Sequence, residues 1–102
     1  MRAREFFEGL ESRAVAARLD GLAHTYRFEI DGEGTWLVVV RGGSVVVAED
    51  GVDGVVDATI RTSAETFDRM TSGRQSPASA YFGGKHQVAG DLGAALKLQR
   101  LF

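Results

Sequence analysis

The run 35–49 constrains the fold more than any other part of the sequence. It reads TWLVVV, then Arg41 and the pair Gly42-Gly43, then SVVVAE. Such a density of β-branched residues favours strands, and a Gly-Gly pair permits the positive φ angles of a tight hairpin turn. We therefore expect two paired antiparallel strands at 35–40 and 44–49. Because 35–40 is apolar on both faces, we also expect it to be a central strand covered on both sides.

One further strand is predicted before this hairpin in the sequence, and another after it. Residues 26–30 alternate apolar with charged side chains, and the glycine-rich stretch 31–34 forms the turn that follows. After a second turn at 50–54, residues 55–61 again alternate apolar with polar side chains, so this strand should have one solvent-exposed face. Four strands joined by short turns indicate an antiparallel meander.

Helical periodicity occupies the segments before and after these strands. Apolar residues recur at spacings of three and four over 2–20, and Gly21 ends that helix. After the fourth strand, Thr62 begins a capping box, although Ser63 is equally suited to cap. The helix that follows carries an apolar face and stops at Gly73.

The C-terminal third adds two helices and a strand. Ser76-Pro77 predicts a short helix through Phe82, because proline suits the first helical turn. A fifth strand is expected at 85–90, and Asp91 should cap a last helix with a wide apolar face. Because the chain reaches Leu101 and Phe102 with large apolar side chains, we expect both to be docked. The predicted class is α+β, with helices packed on one face of a five-stranded, largely antiparallel sheet.

Composition limits the classes of protein that this chain can be. With 102 residues, of which 44% are apolar and 25% charged, it should form a single globular domain over 1–102. A net charge of -2 argues against nucleic acid as a partner. Cysteine is absent, and no run of apolar residues is long enough for stable membrane insertion. A cytoplasmic location is the resulting expectation.

Motifs for catalysis are missing from the sequence. Thiol nucleophiles and the G-x-S-x-G elbow are absent, and His86 follows Gly84-Lys85 where a phosphate-binding loop needs serine or threonine. His24 and His86 lack the spacing of metal ligands. We therefore expect no enzyme, no cofactor and no metal, although spacing alone does not exclude an acid–base pair assembled from distant residues.

The sequence as a whole resembles the sterol carrier protein 2 family. The resemblance lies in GLAHTYRFEIDGEGTWLVVVRGG and in VDATIRTSAETFDRMTSGRQSPASAYFGGKHQVAGDLGAALKLQRLF, which together cover most of the chain. It implies an apolar tunnel between sheet and helices that holds fatty acids, fatty acyl-CoA or sterol-like lipids. It also implies a stand-alone domain that binds lipid without catalysis, although some family members are fused to enzymes.

The resemblance also suggests which residues line that tunnel. His86 departs from the family, which more often has an apolar residue there, so it would narrow the tunnel or bind a lipid headgroup by a hydrogen bond. Arg74 and Lys85 are the other headgroup candidates. The expected lining comprises Trp36, Val38, Phe67, Met70, Phe82, Val88, Leu92 and Leu96.

Two other classes of function stay open at this point. Trp36, Phe67 and Met70 are residue types that more often fill a core than line a pocket. The chain would then be a structural or interaction module with a filled core, which forms a homodimer or serves a partner enzyme. The third class is an enzyme with a small apolar substrate in the pocket.

Overall fold

The structure is a computed structural model that describes residues 2–13, 19, 21–49 and 54–101, without the side chains of His86, Leu98 and Gln99. The described chain contains five strands and four α-helices, and a 3₁₀ helix follows the last α-helix. In chain order the elements are α1 (Ala3–Arg13), β1 (His24–Asp31), β2 (Gly34–Arg41), β3 (Ser44–Glu49), β4 (Ala58–Ser63), α2 (Ala64–Thr71), α3 (Pro77–Phe82), β5 (His86–Gly90), α4 (Leu92–Leu96) and the 3₁₀ helix (Lys97–Leu101).

The five strands form one mixed sheet in the order β3-β2-β1-β4-β5. Three neighbouring pairs are antiparallel, and β4 lies parallel to β1 with Ile60 opposite Phe28. The α+β class and the largely antiparallel five-stranded sheet are thereby confirmed. The predicted meander is wrong, because β4 pairs with β1 and not with β3. Alternation along a strand indicates which side chains face inward, but it does not encode which strand lies alongside.

The β2–β3 hairpin follows its glycine pair. Gly42 and Gly43 have φ angles of 59° and 77°, and Arg41 pairs with Ser44 across the turn. The expectation that β2 is covered on both sides is wrong. Its inward residues are buried, but Leu37 and Val39 on the other face are only half-buried. The helices pack on one face of the sheet, so the opposite face receives less cover.

Helix starts follow the capping residues of the sequence. Ser63 is the N-cap of α2, where its Oγ accepts a 3.1 Å hydrogen bond from the Thr66 amide. Thr62 instead lies within β4 as a buried residue, and its hydroxyl donates to the Lys85 carbonyl at 3.1 Å. Of the two predicted caps, Ser63 is therefore the one that is used. The predicted caps of the last two α-helices, Ser76 and Asp91, are confirmed.

Two predicted segments extend beyond the described residues. Helix α1 runs over Ala3–Arg13, and the rest of the helix predicted over 2–20 falls largely on 14–18 and 20, which lie outside the described residues. The predicted turn 50–54 also lies outside them, apart from Gly54. Strand β4 begins three residues later than predicted, and Val55 before it is 97% exposed.

The core is an aromatic cluster between the sheet and the first two helices. The Phe7 ring stacks on Trp36 with centroids 4.8 Å apart, and on Phe67 at 5.4 Å. Phe28 lies under the same ring at 5.2 Å. Rings in these arrangements contribute beyond the area they bury. This cluster joins α1, α2, β1 and β2 into one packed unit.

Candidate functional site

Four of the predicted tunnel residues lie in the packed core. Trp36, Val38, Phe67 and Met70 are each no more than 3% exposed. The rings of Trp36 and Phe67 both stack on the ring of Phe7. In this conformation they fill space between the sheet and the helices.

Three other predicted residues meet in an apolar groove between α3, β5 and α4. Val88, Leu92 and Leu96 line it, together with Pro77, Ala78, Tyr81 and Ala95. Its free volume is about 10 Å³, which is about the space of one water molecule. The groove is therefore closed in this conformation. Leu92 and Leu96, at its rim, remain 43% and 40% exposed.

Phe82 lies outside this lining. Phe82 is 78% exposed at the end of α3, where its ring packs edge-on against Tyr81 at 5.4 Å. His86 begins β5, and its side chain is outside the described atoms. The exposure of Phe82 did not follow from sequence spacing, which predicted it to line the tunnel.

Neither of the two headgroup candidates is among the described residues that line the groove. Arg74 donates from Nη2 to Asp68 Oδ2 at 2.9 Å, and its Nε donates to the Ser72 hydroxyl at 2.9 Å. Lys85 is exposed in the turn between α3 and β5.

Tyr26 holds α4 against the sheet, a role that the sequence analysis missed. Its buried hydroxyl donates a 2.7 Å hydrogen bond to the carbonyl oxygen of Ala94. Burial, and to a smaller extent the carboxylates of Asp57 and Asp91, raise the pKa of Tyr26 to about 12. The available signal was a tyrosine at an inward strand position, since a buried phenol needs a partner for its hydroxyl.

The junction of β5 and α4 is fixed by Asp57. The Asp91 amide donates to the Asp57 carbonyl at 2.8 Å, and Asp57 Oδ2 accepts from the Thr25 amide at 2.7 Å. His24 Nδ1 lies 3.7 Å from Asp57 Oδ2, too far for a hydrogen bond. These contacts anchor the start of α4.

Larger hollows formed by described residues are clefts with charged rims. A cleft of about 290 Å³ is bounded by Arg2, Arg4, Glu5 and Glu33. Another, of about 270 Å³, is lined by Phe7, Trp36 and Val47 together with three glutamates. Within the described chain, no group of three potential metal ligands comes together. The apolar groove is thus the better candidate for a ligand with an alkyl chain.

A sequence model of the SCP-2 sterol transfer family matches residues 4–102, and the chain belongs to that family. The sterol carrier protein 2 of Rattus norvegicus is 39% identical over 69 residues, which are 68% of this chain and 12% of the rat protein. The chain thus spans about one eighth of that relative. Binding or transfer of lipid is the general property that this family supports.

Solved structures share the same fold over nearly the whole chain. Palmitated SCP2L2 from Aedes aegypti superposes with a TM-score of 0.76 at 20% identity, covering 99% of this chain and 94% of that one. The sec-alkylsulfatase Pisa1 from Pseudomonas sp. gives 0.81 at 17% identity, with 95% of this chain but 16% of the sulfatase covered. The fold therefore occurs both in small proteins and as a part of a larger enzyme.

Membrane insertion through a helix finds no support in the described part of the chain. None of the helices built from described residues has the length and apolar character needed to cross a bilayer.

Proposed function

We propose that this domain binds an alkyl-chain lipid, such as a fatty acid, a fatty acyl-CoA or a sterol-like ligand, without catalysing a reaction on it. The observation that carries the proposal is the apolar groove between α3, β5 and α4, to which Val88, Leu92 and Leu96 all contribute. The related fold of palmitated SCP2L2 supports an acyl chain as the ligand. We further propose that the protein acts in the cytoplasm.

Binding requires that α4 moves, because the groove is closed without a ligand. An empty apolar cavity costs roughly 24 cal/mol per Å³, so a pocket of about 300 Å³ would cost about 7 kcal/mol if it stayed open. Closure of α4 avoids that cost. A lipid chain that enters gains about 0.8 kcal/mol for each CH₂ group removed from water. This gain offsets the free energy that opening the pocket costs.

Helix α4 is suited to such a movement by its length and its attachments. It has five residues, of which Ala94 and Ala95 are buried, so little apolar surface holds it down. Tyr26 and the Asp57 junction secure it at defined points. We propose that the lipid chain enters above Phe67 and Met70, while Phe82, His86, Lys85 and Arg74 lie towards its headgroup.

Displacement of a fluorescent fatty acid tests this function. We expect the probe to bind the protein and to be displaced by oleate or palmitoyl-CoA. Leu96→Trp should fill the groove and weaken binding at least tenfold, whereas Val46→Trp, on the exposed surface of β3, should change it less than twofold. Absence of probe binding at tens of micromolar, or equal losses in both variants, would reject the proposal.

A second candidate function is a structural or interaction module with a filled core. It is favoured by the complete burial of Trp36, Val38, Phe67 and Met70. A homodimer or a partner enzyme would then use the domain as a docking unit. A dimer in analytical ultracentrifugation, together with no fatty-acid binding, would select this alternative.

A further inference from the structure

Among the described residues, one buried side-chain nitrogen has no hydrogen-bond partner. It is Nδ1 of His24, at the start of β1, and the whole side chain is 20% exposed. Across the sheet His24 pairs with Val40 of β2, which offers no polar side chain. Buried polar atoms are nearly always paired, because an unpaired one has lost its hydrogen bonds to water without replacement. The position of this nitrogen therefore needs a physical explanation.

A carboxylate lies just beyond hydrogen-bond distance of this nitrogen. Oδ2 of Asp57 is 3.7 Å from His24 Nδ1, about 0.8 Å longer than an ordinary hydrogen bond. A bridging water would hold the two atoms roughly 4–5 Å apart, so the gap is also too short for a water. A movement of either side chain by less than about 1 Å would bring the two atoms into direct contact.

Asp57 has room for a second hydrogen-bond donor. Its Oδ2 already accepts from the Thr25 amide at 2.7 Å, and a carboxylate oxygen has two acceptor sites. The Thr25 amide and His24 Nδ1 are neighbouring groups on β1, so both can donate to the same oxygen. A protonated imidazole always carries a hydrogen on Nδ1, and its charge makes a hydrogen bond to a carboxylate shorter and stronger.

Other charged groups of the described chain lie close to the same corner of the sheet. The His24 ring is 6.0 Å from that of Tyr26, and Tyr26 interacts electrostatically with the carboxylates of Asp57 and Asp91 and with the guanidinium of Arg100. The Tyr26 phenol itself, with a pKa of about 12, stays neutral at physiological pH. Carboxylates thus outnumber guanidinium groups around this ring pair, which favours an added positive charge.

We propose that His24 and Asp57 form a pH-sensitive switch beside the junction of β5 and α4. At mildly acidic pH the His24 imidazolium donates from Nδ1 to Asp57 Oδ2, whereas the neutral imidazole leaves this bond unmade. Imidazole is the side chain that commonly gains a proton between pH 5 and 8. The state of the switch therefore follows pH in the range that cells experience.

Asp57 connects this ion pair to α4. Its carbonyl accepts from the amide of Asp91, the N-cap of α4, at 2.8 Å. Its own amide donates to the Thr25 carbonyl at 2.8 Å, so the bond from His24 would be the third between β1 and Asp57. Opening of α4 should then be slower at acidic pH. That last step rests on the proposed function, whereas the ion pair itself does not.

A double-mutant cycle in urea tests the ion pair without a ligand. His24→Gln removes the imidazole, and Asp57→Asn removes the charge but keeps an oxygen for the Thr25 amide. At pH 5.5 each single variant should lower the equilibrium constant for folding about fivefold, and the double variant should lower it no further. At pH 8 the coupling should be less than about twofold, because only the protonated ring makes the bond. His86 is unchanged in all four proteins, so its titration cancels.

Arg61→Gln is the matched control, because it breaks an ion pair that contains no imidazole, with Arg61 Nε 3.2 Å from Asp31 Oδ1. Its effect on folding should be the same at pH 5.5 and pH 8. Equal effects of His24→Gln at the two pH values, or stabilisation by His24→Gln at pH 5.5, would overturn the switch.

A nitrogen-15 NMR spectrum of the wild type keeps the switch testable even if the variants do not fold. An Nδ1 proton of His24 that exchanges slowly with solvent at pH 5.5 would support the bond to Asp57. An Nδ1 proton that exchanges as fast as in a free imidazolium would overturn it.

Release of a bound fluorescent fatty acid tests the link to α4. The release rate of His24→Gln divided by that of the wild type should be about five at pH 5.5 and about one at pH 8, and this ratio cancels the ionisation of the probe. A ratio of one at both pH values would overturn the link. Coupling in the urea cycle without probe binding would support the switch and reject the proposed carrier function. Probe binding without coupling at pH 5.5 would do the reverse.

Discussion

The Tyr26 hydroxyl donates a 2.7 Å hydrogen bond to the carbonyl oxygen of Ala94, 68 residues further along the chain. This contact joins the central strand of the sheet to the helix that closes the apolar groove. It is buried, so no water competes for either group. The stability of the domain and the opening of its groove are thereby linked through one side chain.

Replacement of Tyr26 by phenylalanine should separate these two effects. A buried hydrogen bond contributes about 1 kcal/mol net, and Ala94 keeps a second donor in the Lys97 amide. We therefore expect Tyr26→Phe to lower the free energy of unfolding in urea by about 1 kcal/mol and to speed release of a bound fatty-acid probe. A slower release than in the wild type would contradict a role in holding α4.

Alkaline pH should remove the contribution of Tyr26 to the free energy of unfolding. Because the pKa of Tyr26 is about 12 in the folded protein and about 10 in an unfolded chain, the folded state holds this proton more tightly. The stabilisation is fully present below pH 10 and is lost as pH rises from 10 to 12. The difference in unfolding free energy between wild type and Tyr26→Phe should shrink across that window. A constant difference would exclude this linkage.

Gly90 should resist substitution because of the Asp57 junction. A Cβ atom at Gly90 would lie 2.5 Å from the Asp57 carbonyl oxygen, and φ is +99°. Gly32 is the matched control, with φ of +77° and no heavy atom within 4 Å of the same position. We expect Gly32→Ala to cost about 1 kcal/mol and Gly90→Ala at least about 3 kcal/mol, measured by urea unfolding. Equal losses in the two variants would mean that the backbone at Asp57 moves aside without a loss of stability.

Phe67 distinguishes a filled core from a hollow one. It is fully buried between aromatic rings, so Phe67→Ala should lower the free energy of unfolding by about 3–5 kcal/mol. Leu96→Ala, at a residue 40% exposed, should cost less than about 1 kcal/mol. A small loss for Phe67→Ala would indicate that its side chain borders empty space in the ligand-free protein.

Local features of this fold were predictable, and contacts between distant segments were not. Ser76 and Asp91 cap their helices because capping depends on amides within three residues. Gly42-Gly43 sets its hairpin for a similarly local reason. The partner of β4 and the outward position of Phe82 depend on packing between distant segments, which periodicity does not specify.

The residues of the candidate site also fall into one group whose position the sequence predicted and one whose position it did not. Val88, Leu92 and Leu96 were expected to line one space, and they do meet in the groove. Trp36, Val38, Phe67 and Met70 were assigned to that space by family resemblance, but they are buried in the core and do not line the groove in the described conformation. Whether they contact lipid depends on how far α4 opens, a property of the ensemble that sequence pattern does not encode.

The parallel pairing of β4 with β1 has a consequence for the order of folding. Strands β1, β2 and β3 are joined by short turns, so they can pair early, because closing a short loop costs little entropy. Strand β4 pairs across 32 positions, as in Tyr26 with Ala58, and α4 can dock only once Tyr26 is in place. The groove is therefore completed by the slowest-forming contacts, and a nascent or partly unfolded chain has the β1–β3 part of its sheet before it has the groove.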